Sequence, residues 1–404
     1  MGKGIPYTDA IEMVIEVARA VATEQAELAQ CSGRILAQEV IAADNVPAFD
    51  RSPYDGYAFR AADTANASAD HPVTLKVLEE IAAGDVSHFS VTEGTAVRIM
   101  TGAPIPEGAD CVTMYEATEF TDTEVKIFRP GKTGENIVYT GEDIKKGDIL
   151  ANEGQKIDVG LLGTLASQGI ARPLVYKTLK VGLISTGSEL IEVGEELQPG
   201  KIYDSNQYTL TAALDRLGFE PVRYGDCTDT TEGISAAIDK ALSECDAVLL
   251  TGGVSVGDFD LTPAAMEMSG IDMLFRGVGL KPGMSCAFGV KDGKLICGLS
   301  GNPASSLTTF YVVAVPGLKK MAGFAEYRNK EIALTLAEDF GKKSKAPRVL
   351  RGRLDLSDGT AKIHISQDQG NVVMSSTIGC DCMAIIPAGS GPQSAGTVLK
   401  GFLI

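Results

Sequence analysis

Apolar side chains at Ile11, Val14, Ile15 and Ala18 recur at the spacing of one helix face, and Thr8 stands where an N-cap hydroxyl would. A second helical piece is expected over 27–36. From 47 to 141 the rhythm shortens. VTLKVLEEI (73–81), TAVRIMTG (95–102), DCVTMYEA (110–117) and EVKIF (124–128) read as strands parted by Gly, Pro and Asp turns. VGLLGTLASQGI (159–170) returns to helical texture and closes at Gly169. The pattern predicts a helical domain from 1–46 plus 142–177, interrupted by a β-rich domain over 47–141.

Over 178–327 buried-type strands alternate with amphipathic helices. KVGLIST, PVRYGD and DAVLLTGG are the strands; YTLTAALDRLGF, closed by Gly218, and GISAAIDKALSEC are the helices. This βαβ repetition predicts a parallel sheet with helices on both faces. The apolar run over 304–323 reads as one long helix kinked at Pro316. Four alternating segments over 328–404, RVLRGRLDL, AKIHIS, DCMAIIPAG and TVLKGFLI, predict a small β-barrel-like domain. The expected fold class is therefore multidomain, α/β and β.

Composition narrows the function. The formal net charge of −17 leaves no cationic excess to displace counterions from nucleic acid or an anionic membrane. No apolar run approaches the ~20 residues that span a bilayer, and the N-terminus lacks a signal-peptide pattern, so a cytoplasmic location is expected. The eight cysteines stand mostly alone in apolar or turn contexts and read as reduced and structural. Cys380 and Cys382 are too close for a usual zinc pair. His71, His88 and His364 are too few and too scattered to suggest a His-based metal site or a Ser-His-Asp triad.

In a parallel sheet ligands bind beyond the carboxyl ends of the strands. Three segments fall there: Ser185-Thr186-Gly187-Ser188-Glu189, the stretch 226–229, and 251–260 with Gly252, Gly253, Ser255 and Gly257. Glycines let a phosphate approach backbone amides, yet each loop also carries an acid. Acids repel phosphate unless a cation lies between them, so Glu189, Asp229 and Asp260 suggest Mg²⁺ held by oxygen ligands. Lys281, in Lys281-Pro282-Gly283, offers a counter-charge, and the turn Gly301-Asn302-Pro303 with Ser305 offers amides and a hydroxyl. Each has a plainer reading: Asp229 as a helix cap, Gly301-Asn302-Pro303 as a simple turn, Lys281 as a solvated lysine. GxGxxG and the P-loop pattern are absent, which speaks against a dinucleotide or P-loop site.

Taken in order, SPYDGYAF (52–59), RIMTGAPIPEGAD (98–110), GEDIKKGDIL (141–150), STGSEL, KIYDSN (201–206), TGGVSVGDFD, LKPG and GNPASS closely resemble the molybdopterin molybdenumtransferase family, MoeA and the gephyrin E domain. The resemblance implies a MogA-like α/β domain and insertion of molybdenum from molybdate into adenylylated molybdopterin, with Mg²⁺ and release of AMP. It implies a homodimer whose cleft joins two copies, and a MogA-like molybdopterin adenylyltransferase as upstream partner. By motif, Asp55, Thr101 and Asp143 match the family's functional positions in the N-terminal half. Glu189, Asp229, Asp260 and Lys281 match those of the α/β domain, and Ser375 or Ser376 resembles a serine of the C-terminal domain. Asp55 would then be presented to a partner subunit, its turn fixed by Tyr54 and Tyr57. The chain departs from the common pattern at Pro53-Tyr54, Met284 and Ser300. Two alternatives stay open: a molybdopterin adenylyltransferase, and a non-catalytic scaffold of the gephyrin kind.

Overall fold

The structure, a computed structural model, describes residues 4–226, 228–255, 260–366 and 368–404. It forms two compact units. One comprises 1–38, 153–159 and 172–404; the other comprises 39–152 and 160–171.

The second unit is built on a six-stranded sheet. Its strands are β1 (Gly56–Phe59), β2 (Val73–Ile81), β3 (Thr95–Ile99), β4 (Cys111–Met114), β5 (Thr118–Phe120) and β6 (Glu124–Ile127). Their order is β4-β1-β3-β2-β6-β5, with only β2 and β3 parallel. Strand alternation sorts the core. Tyr57 and Phe59 face Leu75, Val125 and Ile127 on one side, while Ala58 faces Val97, Ile99 and Val112 on the other. The expected strands over 73–127 are therefore present. The helix Val159–Ser167 is followed by Gln168, whose buried amide ties the main chain of Ala43 and Asp44.

The first unit holds the α/β sheet. Its strands are β7 (Lys180–Ser185), β8 (Glu220–Asp226), β9 (Ala247–Thr251), β10 (Asp272–Arg276), β11 (Ala287–Lys291) and β12 (Lys294–Leu299). The order is β8-β7-β9-β12-β11-β10. β8, β7, β9 and β12 run parallel, but β11 is antiparallel to both its neighbours. The sheet is thus mixed, not all parallel as the repetition predicts. The reason is local: Asp292 (φ +52°) and Gly293 (φ +78°) make a two-residue hairpin turn between β11 and β12.

Helices cover both faces, as expected. On β9, Ala247 and Leu249 belong to one core and Val248 and Leu250 to the other. Helices α1 (Tyr7–Val17) and α2 (Ser205–Leu217) cover the first face, and α3 (Thr231–Glu244) and α4 (Thr262–Met268) the second. Buried Ala10, Val14 and Ala18 place α1 in this core, while Thr23–Gln25 pairs with Leu174–Tyr176 in the same compact unit. Thr8 is not its cap. Ile5 and Pro6 pair with Val278 and Gly279, the helix starts at Tyr7, and the Thr8 hydroxyl turns to Asp9 (3.1 Å). The expected helix over 27–36 is reduced to one 3₁₀ turn, Leu28–Gln30. Beyond it the amides of Gly33 and Leu36 donate to Ile157 and Gln155 carbonyls, which removes them from any helical ladder.

The run at 304–323 is interrupted rather than simply kinked. Two helices, Pro303–Thr309 and Val315–Met321, flank a π-helical turn over Phe310–Ala314. Pro316 has no N–H for the carbonyl one turn earlier, and the wider turn absorbs that loss. The C-terminal β domain is a closed five-stranded barrel. Its strands are β13 (Ile332–Leu336), β14 (Arg348–Asp355), β15 (Lys362–Ile365), β16 (Cys382–Ile386) and β17 (Val398–Leu403). Closure requires β13, absent from the four segments read in the sequence; it pairs with both β15 and β17.

Candidate active site

Strands β7, β9 and β12 are parallel, so their C-terminal loops share one sheet edge. The loops are laced together. The N–H and hydroxyl of Thr186 both donate to Thr251 O (2.9 and 3.2 Å), and Gly252 N–H donates to Leu299 O (3.0 Å). Gly252 has φ +98°, and a Cβ there would lie 2.5 Å from Thr186 O, so only glycine fits. Asn206 at the start of α2 donates to Gly301 O (2.8 Å). Between these loops lies a cavity of about 410 Å³.

Glu189, Asp229 and Asp260 all line this cavity, as do Thr186, Gly187, Gly252, Gly253, Ser255, Gly301 and Asn302. Ser185 lies beneath it, buried, with its hydroxyl 3.2 Å from that of Thr251. Gly257 falls outside the described residues. Asp229 does not cap α3: Thr230 does, accepting from Gly233 N–H (3.1 Å). The Asp229 carboxylate instead accepts from Ser188 N–H (3.2 Å), which joins it to the Glu189 loop.

Among the described residues no three acids, histidines or cysteines converge tightly enough to hold a metal ion alone. Mg²⁺ does not require such a cage. It keeps several waters and is held by one or two carboxylates together with substrate phosphate oxygens. Three carboxylates spread round a cavity with glycine-bearing walls fit that looser mode.

A second cavity, of about 320 Å³, has the opposite sign. Lys281 N–H donates to Pro347 O (2.9 Å) and Val349 N–H to Lys281 O (2.7 Å), so Lys281 lies in register beside Arg348 of the barrel. Both cations line the cavity, with Pro282, Gly283, Ser305, Gln369 and Asn371. Gly283 has φ +112°, and a Cβ there would meet Thr309 Oγ1 at 2.2 Å. The Arg348 Nε is buried with no protein partner. Ser285, Ser300 and Asn302 line both cavities, so the acidic and cationic spaces adjoin. Pro303 begins the helix behind them and lines neither.

Sequence reasoning missed Arg348, Gln369 and Asn371. The visible signal was a cation opening the strand RVLRGRLDL. Ser376 is not a cavity group: it is buried, and its hydroxyl accepts from the Arg351 guanidinium (2.8 Å). Ser375 is exposed and lines neither cavity. Arg351 itself is fully buried, and burial lowers its pKa to about 10, which leaves it charged at neutral pH. It donates to Gly370 O (3.2 Å), while Gln369 pairs with the Arg351 main chain in both directions (3.0 Å each). That network seats the segment presenting Asn371, whose carbonyl accepts from Ser305 N–H (3.3 Å).

The second unit carries another acidic group. One oxygen of Asp55 accepts both the N–H and the hydroxyl of Thr101, each at 2.7 Å. Those two bonds, the backbone one foremost, hold the exposed carboxyl below the usual aspartate range. The turn is pinned by Ser52, whose hydroxyl donates to Tyr54 O (2.6 Å). Of the flanking rings, Tyr57 is fully buried and packs edge-on against Tyr115 (5.5 Å), whereas Tyr54 is 45% exposed. Only Tyr57 therefore braces the turn by burial. Asp143 stands on a separate turn, side chain exposed, with its N–H donating to Val46 O (3.0 Å).

Two family models match the chain: the MoeA N-terminal region (domain I and II) over residues 5–169, and a probable molybdopterin binding domain over 182–320. The molybdopterin molybdenumtransferase of Staphylococcus aureus strain Mu50 is 36% identical over 392 residues, 97% of this chain and 94% of that protein. That of Staphylococcus epidermidis strain RP62A is 35% identical over 399 residues, 99% and 95% of the two chains. The solved structure of the molybdopterin biosynthesis MoeA protein from Pyrococcus horikoshii OT3 superposes with a TM-score of 0.84 at 31% identity, covering 100% of both chains.

Proposed function

The chain belongs to the molybdopterin molybdenumtransferase family, transferases of molybdenum-cofactor biosynthesis, and from that premise we propose the reaction its site performs. It transfers molybdenum from molybdate to adenylylated molybdopterin and releases AMP. The observation that carries this reading is the adjoining pair of cavities, one acidic and one cationic, with Ser285, Ser300 and Asn302 in their shared wall. A phosphoanhydride with its cation fits the first; a tetrahedral oxyanion fits the second.

Glu189, Asp229 and Asp260 would hold Mg²⁺, which supplies neutralising charge to the adenylate phosphate. Gly187 and Gly253 in the cavity wall let that phosphate approach the main chain closely, the amides of Thr186 and Gly252 being used to lace the loops. Lys281 and Arg348 neutralise molybdate, and Ser305 and Asn371 add polar groups to the same space. The barrel and the α/β domain must both be in place for this, because Lys281 is aligned through main-chain bonds to Pro347 and Val349. Positioning and neutralisation provide most of the acceleration in phosphoryl cleavage. Asp55 and Thr101 act as one group, the threonine fixing the carboxylate. We further propose that two copies of the chain associate and that the upstream partner is a molybdopterin adenylyltransferase.

The test is AMP release from adenylylated molybdopterin, followed with and without molybdate and with and without Mg²⁺. Release that depends on both is expected. Release independent of molybdate would overturn the transfer reading. Formation of adenylylated pterin from molybdopterin and MgATP by this chain alone would favour an adenylyltransferase.

A further inference from the structure

The motif KIYDSN borders the acidic cavity through Ile202 and Asn206. Between β7 and α2 the chain makes an excursion over 190–203 in which no residue is buried. Its apolar side chains lie open: Val193, Leu197 and Ile202 are each more than half exposed. Hydrophobic packing therefore does not hold it, and the bonds that do are polar. Leu190 and Ile191 pair with Ile202 and Tyr203, Lys201 Nζ donates to Ser188 O, and Tyr203 donates to Glu195 O (2.9 Å). These bonds shape the excursion internally. They do not fix it to the sheet.

Arg223, on β8, supplies an anchor to the sheet. Its Nη2 donates to both oxygens of Glu192 in the excursion (3.1 and 3.4 Å), and its Nε donates to Gln207 Oε1 of α2 (2.8 Å). The guanidinium plane also lies 4.5 Å from the ring centre of Tyr208. One planar side chain thus grips the excursion, the first turn of α2 and the sheet together. The two residues at the excursion's base, Leu190 and Ile202, line the acidic cavity beside Glu189. The Ile202 N–H donates to Glu189 O (2.9 Å), which ties the apolar wall to the main chain of the acid.

The geometry points to Arg223 as a positioning residue for the transfer: through Glu192 it holds Leu190 and Ile202 as the apolar wall against which the purine of the adenylate lies. This rests on the adenylate reading of the acidic cavity. Arg223 touches no substrate. Its effect is transmitted by the excursion, and because Nη2 serves Glu192 while Nε serves Gln207, lysine with one nitrogen is an incomplete substitute.

The experiment uses the full chain as Arg223→Gln, Arg223→Lys and Glu192→Gln. Amide hydrogen exchange over 190–203 is measured alongside calorimetric binding of AMP with MgCl₂. Exchange is expected to quicken about tenfold in Arg223→Gln and Glu192→Gln. MgAMP affinity should fall about tenfold in both, with Arg223→Lys between them and the wild type. In turnover, KM for the adenylylated substrate should rise while kcat holds within about twofold. Faster exchange with unchanged MgAMP affinity would overturn the positioning role, and unchanged exchange would overturn the clasp. A wild-type chain that binds no MgAMP would overturn the cavity reading itself, with the exchange arm still deciding the clasp.

Discussion

The acidic and cationic cavities adjoin but are built in opposite ways. The acidic one is assembled mainly from loops that follow strands of one sheet. Parallel topology alone brings Glu189, Gly252 and Gly301 to a common edge. The cationic one joins two domains of the chain: Lys281 comes from the α/β domain, and Arg348, Gln369 and Asn371 come from the barrel. A site on one sheet edge inherits its geometry from the fold. A site across two domains needs its own alignment, here the main-chain bonds of Lys281 to Pro347 and Val349. The carboxylates can share their charge with solvent, and Glu189 and Asp229 are exposed, whereas the Arg348 Nε is buried without a partner. The second arrangement depends more on an arriving anion, because an unmatched buried donor is costly.

The largest expected effect separates the two cavities by ligand. Lys281→Ala and Arg348→Ala should each lower kcat/KM for molybdate by about 10²–10³-fold, the scale of losing one preorganised electrostatic contact. Binding of MgAMP should stay within about twofold. Asp229→Asn should do the reverse, weakening MgAMP about tenfold and leaving the molybdate dependence in place. Initial-rate kinetics and calorimetry on the same three variants check this. A variant that shifts both ligands equally would break the division of labour.

A smaller but sharper effect concerns Asp55, which belongs to the other unit. Asp55→Asn and Glu189→Ala chains are each expected to be inactive in AMP release. Mixed after partial denaturation and refolding, they should recover about a quarter of wild-type activity if each cleft takes its two acids from different copies of a dimer. No recovery at all would remove the proposal that copies share the site.

The smallest effect is on pH. The Asp55 carboxyl is held low by the Thr101 N–H and hydroxyl. Its folded pKa lies below its unfolded value, so the stability it contributes is full above the ordinary aspartate pKa and fades as pH falls through the lowered one. Thr101→Val keeps the N–H bond and loses the hydroxyl. The Asp55 pKa should therefore rise part of the way back. The acid limb of the pH–rate profile should move to higher pH by a fraction of a unit, and an unchanged limb would show that Asp55 need not be ionised.

Much of this was legible without coordinates, for reasons that differ by residue. The loops at 185–189 and 251–255 are local events, a strand ending in glycines, and periodicity finds them. The same holds for α2, which runs from its Asp204 cap to Gly218. Thr8 and the segment 27–36 misled because their local preference for a helix was weaker than the pairings of Ile5 with Val278 and of Gly33 with Ile157. Those partners are distant in sequence and leave no mark on the local pattern. The choice between Ser375 and Ser376 was not legible in the motif; the structure shows that the Ser376 hydroxyl bonds a buried arginine while Ser375 is exposed.

The sequence alone determined the strand and helix rhythm, the acids at the ends of the strands and the family, because spacing, turn chemistry and charge are written residue by residue. The tertiary structure decided that α1 joins the α/β core, that Asp292-Gly293 turns the sheet mixed, and that Arg348 stands beside Lys281. The first and third are pairings across long stretches of chain, whereas the Asp292-Gly293 turn is local and takes its effect from the strands it joins. Such pairings are settled by which partners bury each other best and by which main-chain groups find a match. Neither can be read from one segment at a time.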